Sequence, residues 1–181
     1  MFSRNNLRMR KADSTDLSFI TNIRMSEHVQ SNVGMVLFAN ESTQTEWLNK
    51  SSADGSKLYA IFEEFKVDRW VRLGYIRITD IDHQNKSMCV GGDLDIQHCG
   101  KGHGKSMYEM ILALGFDTWN MNRIWLLVLE TNTRAQNLYL KMGFKKEGVQ
   151  RGAIFKSGRY VDYVMMSLLK DEHLTVKGSV A

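Results

Sequence analysis

The sequence predicts a single α/β domain built on one mixed sheet, and three observations carry that expectation. Residues 57–63, 70–79 and 87–96 are strand-like, with only the turns "KVDR" and "DIDHQNK" between them, which reads as an antiparallel meander. Downstream the pattern changes to helix (106–119), strand (123–129), helix (133–142) and two further strands (145–153 and 159–169). Between meander and helix lies "QHCGKGHGKSM", residues 97–107, with glycines at every second position.

The elements follow in chain order from local chemistry. Leu7 and Met9 alternate with Arg8 and Arg10 in a short first strand. Asp13 has the position of a cap for a helix whose apolar side is Leu17, Ile20 and Ile23. Residues 31–42 lack a clean period and read as a loop or a broken helix. Thr43 and Glu46 have capping-box spacing ahead of Trp47 and Leu48, and "SSADGS" reads as a turn. In the helix after the glycines, Met107, Met110, Ile111, Leu114 and Phe116 gather mostly on one side. Gly143 ends the second downstream helix. Neither repeat nor linker is evident, so residues 1–170 are expected to form the domain and 171–181 a polar, loose tail.

Bulk properties narrow the function. The 181 residues suit one domain, and a hydrophobic fraction of 43% supports a proper core. Nothing approaches a membrane-spanning apolar run, and the basic N-terminus lacks the hydrophobic region of a secretory signal. Cys89 and Cys99 make no disulfide framework, which points to a reducing, cytoplasmic setting. No cysteine and histidine spacing supports a zinc site, so no metal is expected. The net charge of +4 permits an anionic partner without naming one. "RMRK", residues 8–11, reads as a solvated strand edge rather than a nucleic-acid patch, and a nucleic-acid role would rest on charge alone.

The glycine run carries the chemistry. Glycine lets backbone amides approach a ligand with no Cβ in the way, and the first amides of a helix are unpaired donors at its positive end. A run placed between strand and helix is a candidate phosphate nest, to which Lys101 and Lys105 add positive charge. A Walker A loop would need a glycine where Cys99 stands, and G-x-G-x-G is not the Rossmann fingerprint. The plainer reading is a flexible turn with a helix cap.

Together with "NTRAQNLYLKMGF", residues 132–144, after "WLLVLE", the glycine run resembles the GCN5-related N-acetyltransferase (GNAT) family. The family's nucleotide motif, Arg/Gln-x-x-Gly-x-Gly/Ala, is matched by Gly102 and Gly104, with Cys99 where Arg or Gln is usual. Asn132, Ala135, Tyr139, Gly143 and Phe144 match the second motif in full. The ending "GRYVDYVMMSLL" is similar to the branch containing ribosomal-protein N-terminal, spermidine and amino-sugar acetyltransferases.

The resemblance implies an acyl-CoA N-acyltransferase fold, with a mostly antiparallel central sheet that splays at the cofactor site and is flanked by helices. It implies acetyl transfer from acetyl-CoA to a primary amine in a ternary complex. Leu94 would bond pantetheine through its backbone. Gly100, Lys101, Gly102, His103, Gly104 and Lys105 would hold the pyrophosphate. Asn132 would reach the pantetheine arm or order the loop beneath it, and Tyr139 would protonate the departing thiolate. A base is harder to place, because Cys89 stands where the branch often has glutamate. Asp93, of the same strand parity, is the substitute; water-mediated deprotonation and Glu130 are alternatives. An acyl-cysteine route through Cys89 is conceivable.

The acceptor pocket is expected from the least periodic segments, with Glu27 and His28 as candidate linings. The acceptor itself is expected to be an amino sugar, free or nucleotide-linked, or a protein N-terminus. A polyamine ranks below these, because it usually needs several carboxylates in one cleft. The rival class is a catalytically inactive acyl-CoA-binding module, favoured by Cys89 and Cys99. Pairing of the last two strands into a homodimer is a further implication of the resemblance.

Overall fold

The computed structural model describes residues 1–34 and 53–178 together with Glu46 and Lys50. Much of the aperiodic stretch, including the Thr43 capping box with Trp47 and Leu48, lies outside the described residues.

The chain begins with a short hairpin, β1 (Phe2–Arg4) and β2 (Leu7–Lys11). Its turn places Asn5 at φ 56, a left-handed conformation that asparagine tolerates. The three residues of β1 are too few for a period of two to show in the sequence. Asp13 then caps a short 3₁₀ turn, Ser14–Asp16, in a reciprocal capping box. The turn flows into α1 (Leu17–Met25), and the brief α2 (Glu27–Gln30) follows.

The meander is β3 (Leu58–Lys66), β4 (Arg69–Asp82) and β5 (Ser87–Leu94), each antiparallel to the last. The helix after the glycines, α3 (His103–Leu112), starts earlier than expected and widens into π-type turns over Ala113–Thr118. Next come β6 (Arg123–Leu129), α4 (Thr133–Lys141), β7 (Lys145–Lys156) and β8 (Arg159–Leu169). The tail also departs from expectation, since α5 (Lys170–Gly178) is helical rather than loose. Glu172 accepts from the Leu169 amide and pairs with Lys145, while His173 is buried against the Phe116 ring.

The described strands form one sheet in the order β1-β2-β3-β4-β5-β6-β8-β7. Every neighbouring pair is antiparallel except β5 and β6, which run parallel because α3 crosses between them. A large core fills one face of the sheet: Phe62, Ile76, Ile78, Met88 and Ile124 meet Met107, Met110 and Ile111 of α3. The other face is covered by α1, with Leu17 and Ile20 against Ile61 and Tyr75.

A buried charge network fixes α1 to this second face. Asp16 is fully buried and takes both terminal nitrogens of Arg10, at 2.6 and 2.7 Å, with Arg72 at 3.3 Å. Glu63 next to it receives Arg8 at 2.6 Å and Arg10 at 3.3 Å. Burial disfavours the Asp16 charge, but the hydrogen bonds from Arg10 and the Asp13 amide outweigh it and hold its pKa below the usual carboxylate value.

Candidate active site

The site begins where the sheet opens. β5 and β6 pair only over Ser87–Cys89 with Arg123–Trp125 and then part. Asp95 donates its amide to the Leu73 carbonyl on the β4 side. Strand alternation therefore turns the Leu94 N–H and C=O away from β4 and into the gap. His28 donates from Nε2 to that carbonyl at 2.9 Å.

Two cavities fill the gap and the surface beside it. One, of about 320 Å³, lies between the parted strands and reaches Arg24, Arg77 and Tyr163. The other, of about 350 Å³, runs out under Leu94 to Gly100, Gly102, Gly104 and Lys105. Both are lined by Gly92, Asp93, Tyr108, Asn132 and Tyr139, so they are two arms of one groove joined at those residues.

The glycine arm is built from backbone. Gly102 precedes α3 with φ 87, and Gly100 has φ 78; both are left-handed, where a side chain is strained. A Cβ on either would meet nothing within 4 Å, which leaves the surface open to a ligand. The amides of the first turn of α3 have no intrahelical partner and form the positive end of the helix dipole. Lys101 in the loop and His103 at the start of α3 line neither cavity; His103 packs edge-on against His98. Lys105 lines the arm and pairs with Glu109 at 3.5 Å.

The junction is built from side chains. Asp93 accepts from Arg77 at 2.8 Å across β4 and β5. A Cβ on Gly91 would lie 2.9 Å from the Arg77 guanidinium, so that glycine makes room for the ion pair. Burial opposes the Arg77 charge, but Asp93 more than compensates and its pKa is raised. Tyr139 projects from α4 on the face it shares with Asn132, Ala135 and Gln136. Its hydroxyl lies 2.9 Å from that of Tyr108 on α3, with the rings edge-on. Burial raises the pKa of both phenols, so both are protonated at neutral pH. Asn132 accepts from the Ala135 amide at 3.1 Å, capping α4.

Other expected residues fall elsewhere. Cys89 lies where β5 and β6 are still paired and lines neither cavity, and burial pushes its thiol up to about 11, which removes the thiolate an acyl-cysteine route needs. Glu130 and Glu27 are exposed and line neither cavity, whereas His28 lines the glycine arm. Sequence reasoning passed over Tyr108, Arg77, Arg24 and Gln136. Arg77 had a signal: a charge inside the apolar strand run "YIRIT" demands a buried partner. Gln136 donates to the Leu129 and Glu130 carbonyls and ties α4 to the end of β6. Tyr108 sits in an apolar helix face and gave no signal of its own. Among the described residues no cluster of metal-ligating side chains occurs, and no helix is long and apolar enough to cross a membrane.

Comparison with known proteins agrees with this geometry. A family model described as an acetyltransferase (GNAT) domain matches residues 6–145. The chain is 25% identical to a spermidine N(1)-acetyltransferase of Vibrio cholerae over 168 residues, 93% of this chain and 95% of that protein. It is 37% identical to an uncharacterized N-acetyltransferase, p20, of Bacillus licheniformis over 93 residues, a match spanning about half of either protein (51% of this chain, 52% of p20). A crystal structure of spermidine N-acetyltransferase from Vibrio cholerae, in complex with CoA and spermine, superposes with a TM-score of 0.87 at 25% identity, covering 93% of this chain and 98% of that one. Sheet, parted strands and family model lead to one conclusion: the chain belongs to the GNAT family of acetyl-CoA-dependent N-acetyltransferases.

Proposed function

We propose that this protein transfers the acetyl group of acetyl-CoA to a primary amine of a small polyamine. The observation that carries this reading is the opened β5–β6 gap, with a backbone cradle at one end and a tyrosine and a carboxylate at its middle. Pantetheine would lie in the gap against Leu94, with the pyrophosphate over Gly100, Gly102 and Gly104 and the thioester at the junction. Lys101 and His103 would act from the loop's outer side, and Asn132 would border the pantetheine arm. Thioester aminolysis needs an uncharged amine, a donor for the oxyanion and a proton for sulfur. Asp93 would take the amine proton, directly or through water. The Leu94 amide would face the oxyanion. Tyr139, buried and protonated, would protonate the thiolate.

The polyamine acceptor rests on the comparisons, which fit it better than the amino sugar expected from sequence: the relative and the structure similar over most of this chain bear spermidine in their names. One feature favours a second reading. The amine would enter by the arm between the parted strands, the acceptor arm; Arg24 and Arg77 both line it, and Asp93 is its carboxylate among the described lining residues. An amine that also carries phosphate, as a nucleotide-linked amino sugar does, would suit that lining. A thiol-release assay with spermidine, a nucleotide-linked amino sugar and an N-terminal peptide tests both. Spermidine is expected to give the highest kcat/KM; preference for the phosphorylated amine would reverse the assignment, and acetyl-CoA binding without turnover on any of them would favour the inactive-module alternative.

We also propose a reducing, cytoplasmic setting and a homodimer formed through the β7–β8 hairpin. There Phe155 and Tyr160 are exposed and in ring contact. Light scattering that gives a monomer mass would remove the dimer.

A further inference from the structure

We infer that Tyr108 is a positioning residue for the acetyl transfer, its hydroxyl holding the Tyr139 hydroxyl at the junction so that the Tyr139 proton is directed at the departing sulfur. This rests on the transferase reading above and on Tyr139 as the proton donor. The two tyrosines come from different helices and different stretches of sequence, yet their hydroxyls meet at 2.9 Å where the two arms join. Tyr108 is 2% exposed and Tyr139 9%, so little solvent reaches this hydrogen bond. A phenol carries one proton and accepts with its lone pairs. If Tyr139 donated to Tyr108, its proton would be spent on that bond. If Tyr108 donates, the Tyr139 proton is free for the groove.

Turnover selects the second arrangement. As the amine nitrogen bonds to the acetyl carbon and the C–S bond breaks, the electron pair of that bond goes to sulfur. Sulfur takes the Tyr139 proton, and a phenolate is left in a buried site. A hydrogen bond donated to an anion is about twice as strong as one between neutral groups, and Tyr108 is placed to donate it. The proton lost by the amine leaves through Asp93 or water, and Tyr139 regains one from solvent after CoA departs. The charged groups facing the pair are Arg77 on β4 and Asp93 on β5, already joined to each other.

The test is a double-mutant cycle in the full-length protein, with Tyr108→Phe, Tyr139→Phe and both together. Thiol release is followed with spermidine, a nucleotide-linked amino sugar and a peptide, and acetyl-CoA affinity is measured by calorimetry. Tyr139→Phe is expected to lower kcat about 100-fold and Tyr108→Phe about tenfold, with KM for the amine and Kd for acetyl-CoA within about twofold of wild type. In the Tyr139→Phe background, Tyr108→Phe should cost nothing more. An unchanged kcat in Tyr108→Phe overturns the inference, as does an equal loss in both backgrounds or a parallel loss of acetyl-CoA binding, which would mark a structural role. Wild-type protein silent on all three amines overturns the transferase reading and this inference with it; an active wild type with an indifferent Tyr108→Phe overturns this inference alone.

Discussion

The two arms of the groove are made of different material. The glycine arm, proposed above as the cofactor arm, is mostly main chain at its outer end: two left-handed glycines, the first amides of α3 and the outward backbone of Leu94. The arm between the parted strands, proposed above as the acceptor arm, is side chain: Arg24 from α1, Arg77 from β4 and Tyr163 from β8, with Asp93 of β5 at the junction. A backbone site needs particular residues only where a side chain would intrude, so its constraint is short and regularly spaced. A side-chain site draws single residues from distant elements, and its specificity changes with any one of them. Substitutions should therefore separate the arms.

The largest effect is expected far from both, at the network that holds α1 and with it Arg24. Asp16→Asn takes the buried counter-charge from Arg72 and leaves Arg10 with the longer pair to Glu63 and the exposed Asp13, and should cost about 3 kcal/mol of stability, read as a lower urea midpoint. If the arms are independent, acetyl-CoA affinity well below the new midpoint stays near wild type. The same carboxylate predicts a pH dependence. Its folded pKa is depressed, so its contribution is complete above the unfolded value near 3.9. It is lost as pH falls through the folded value. Wild type should therefore lose stability in acid more steeply than Asp16→Asn, and parallel acid curves would remove the assignment.

Next comes the backbone arm. Gly102→Val forces a β-branched residue toward φ 87 and should cost about 2 kcal/mol. Falling on the bound conformation, that is roughly a thirtyfold weaker Kd for acetyl-CoA. An unchanged Kd by calorimetry would mean that the loop does not hold the cofactor. KM for the amine, measured at saturating acetyl-CoA, should not move.

This division explains what the sequence made legible. Strand 123–129 and the start of α4 at Thr133 were readable to the residue, because an apolar run and a capping asparagine mark them. The glycine arm was readable as a motif, and Tyr139 through the second motif. Tyr108 was not, since its phenol lies on an otherwise apolar helix face and only the fold brings α4 to it. β1 was obscured for another reason: two of its three residues are exposed and it is held by pairing with β2, so no burial pattern marks it. α5 looked like a loose polar tail because its tethers, Lys145 to Glu172 and Phe116 to His173, are tertiary.

The smallest predicted effect tests the comparison most closely, because it asks whether any side chain matters in the cofactor arm. Lys105, with Arg134, is one of two permanent cations lining it, and as the one beside the glycines it would dominate a phosphate site read from charge alone. Its ammonium, however, is largely exposed and already shared with Glu109 at 3.5 Å. Exposed ion pairs contribute little and are screened by salt. Lys105→Ala should therefore weaken acetyl-CoA binding by about threefold at low ionic strength and by less at physiological salt. A loss as large as that of Gly102→Val, persisting in salt, would mean that charge rather than backbone geometry holds the pyrophosphate. The two arms would then be alike in construction, and the spacing of the glycines would reflect the turn into α3 alone.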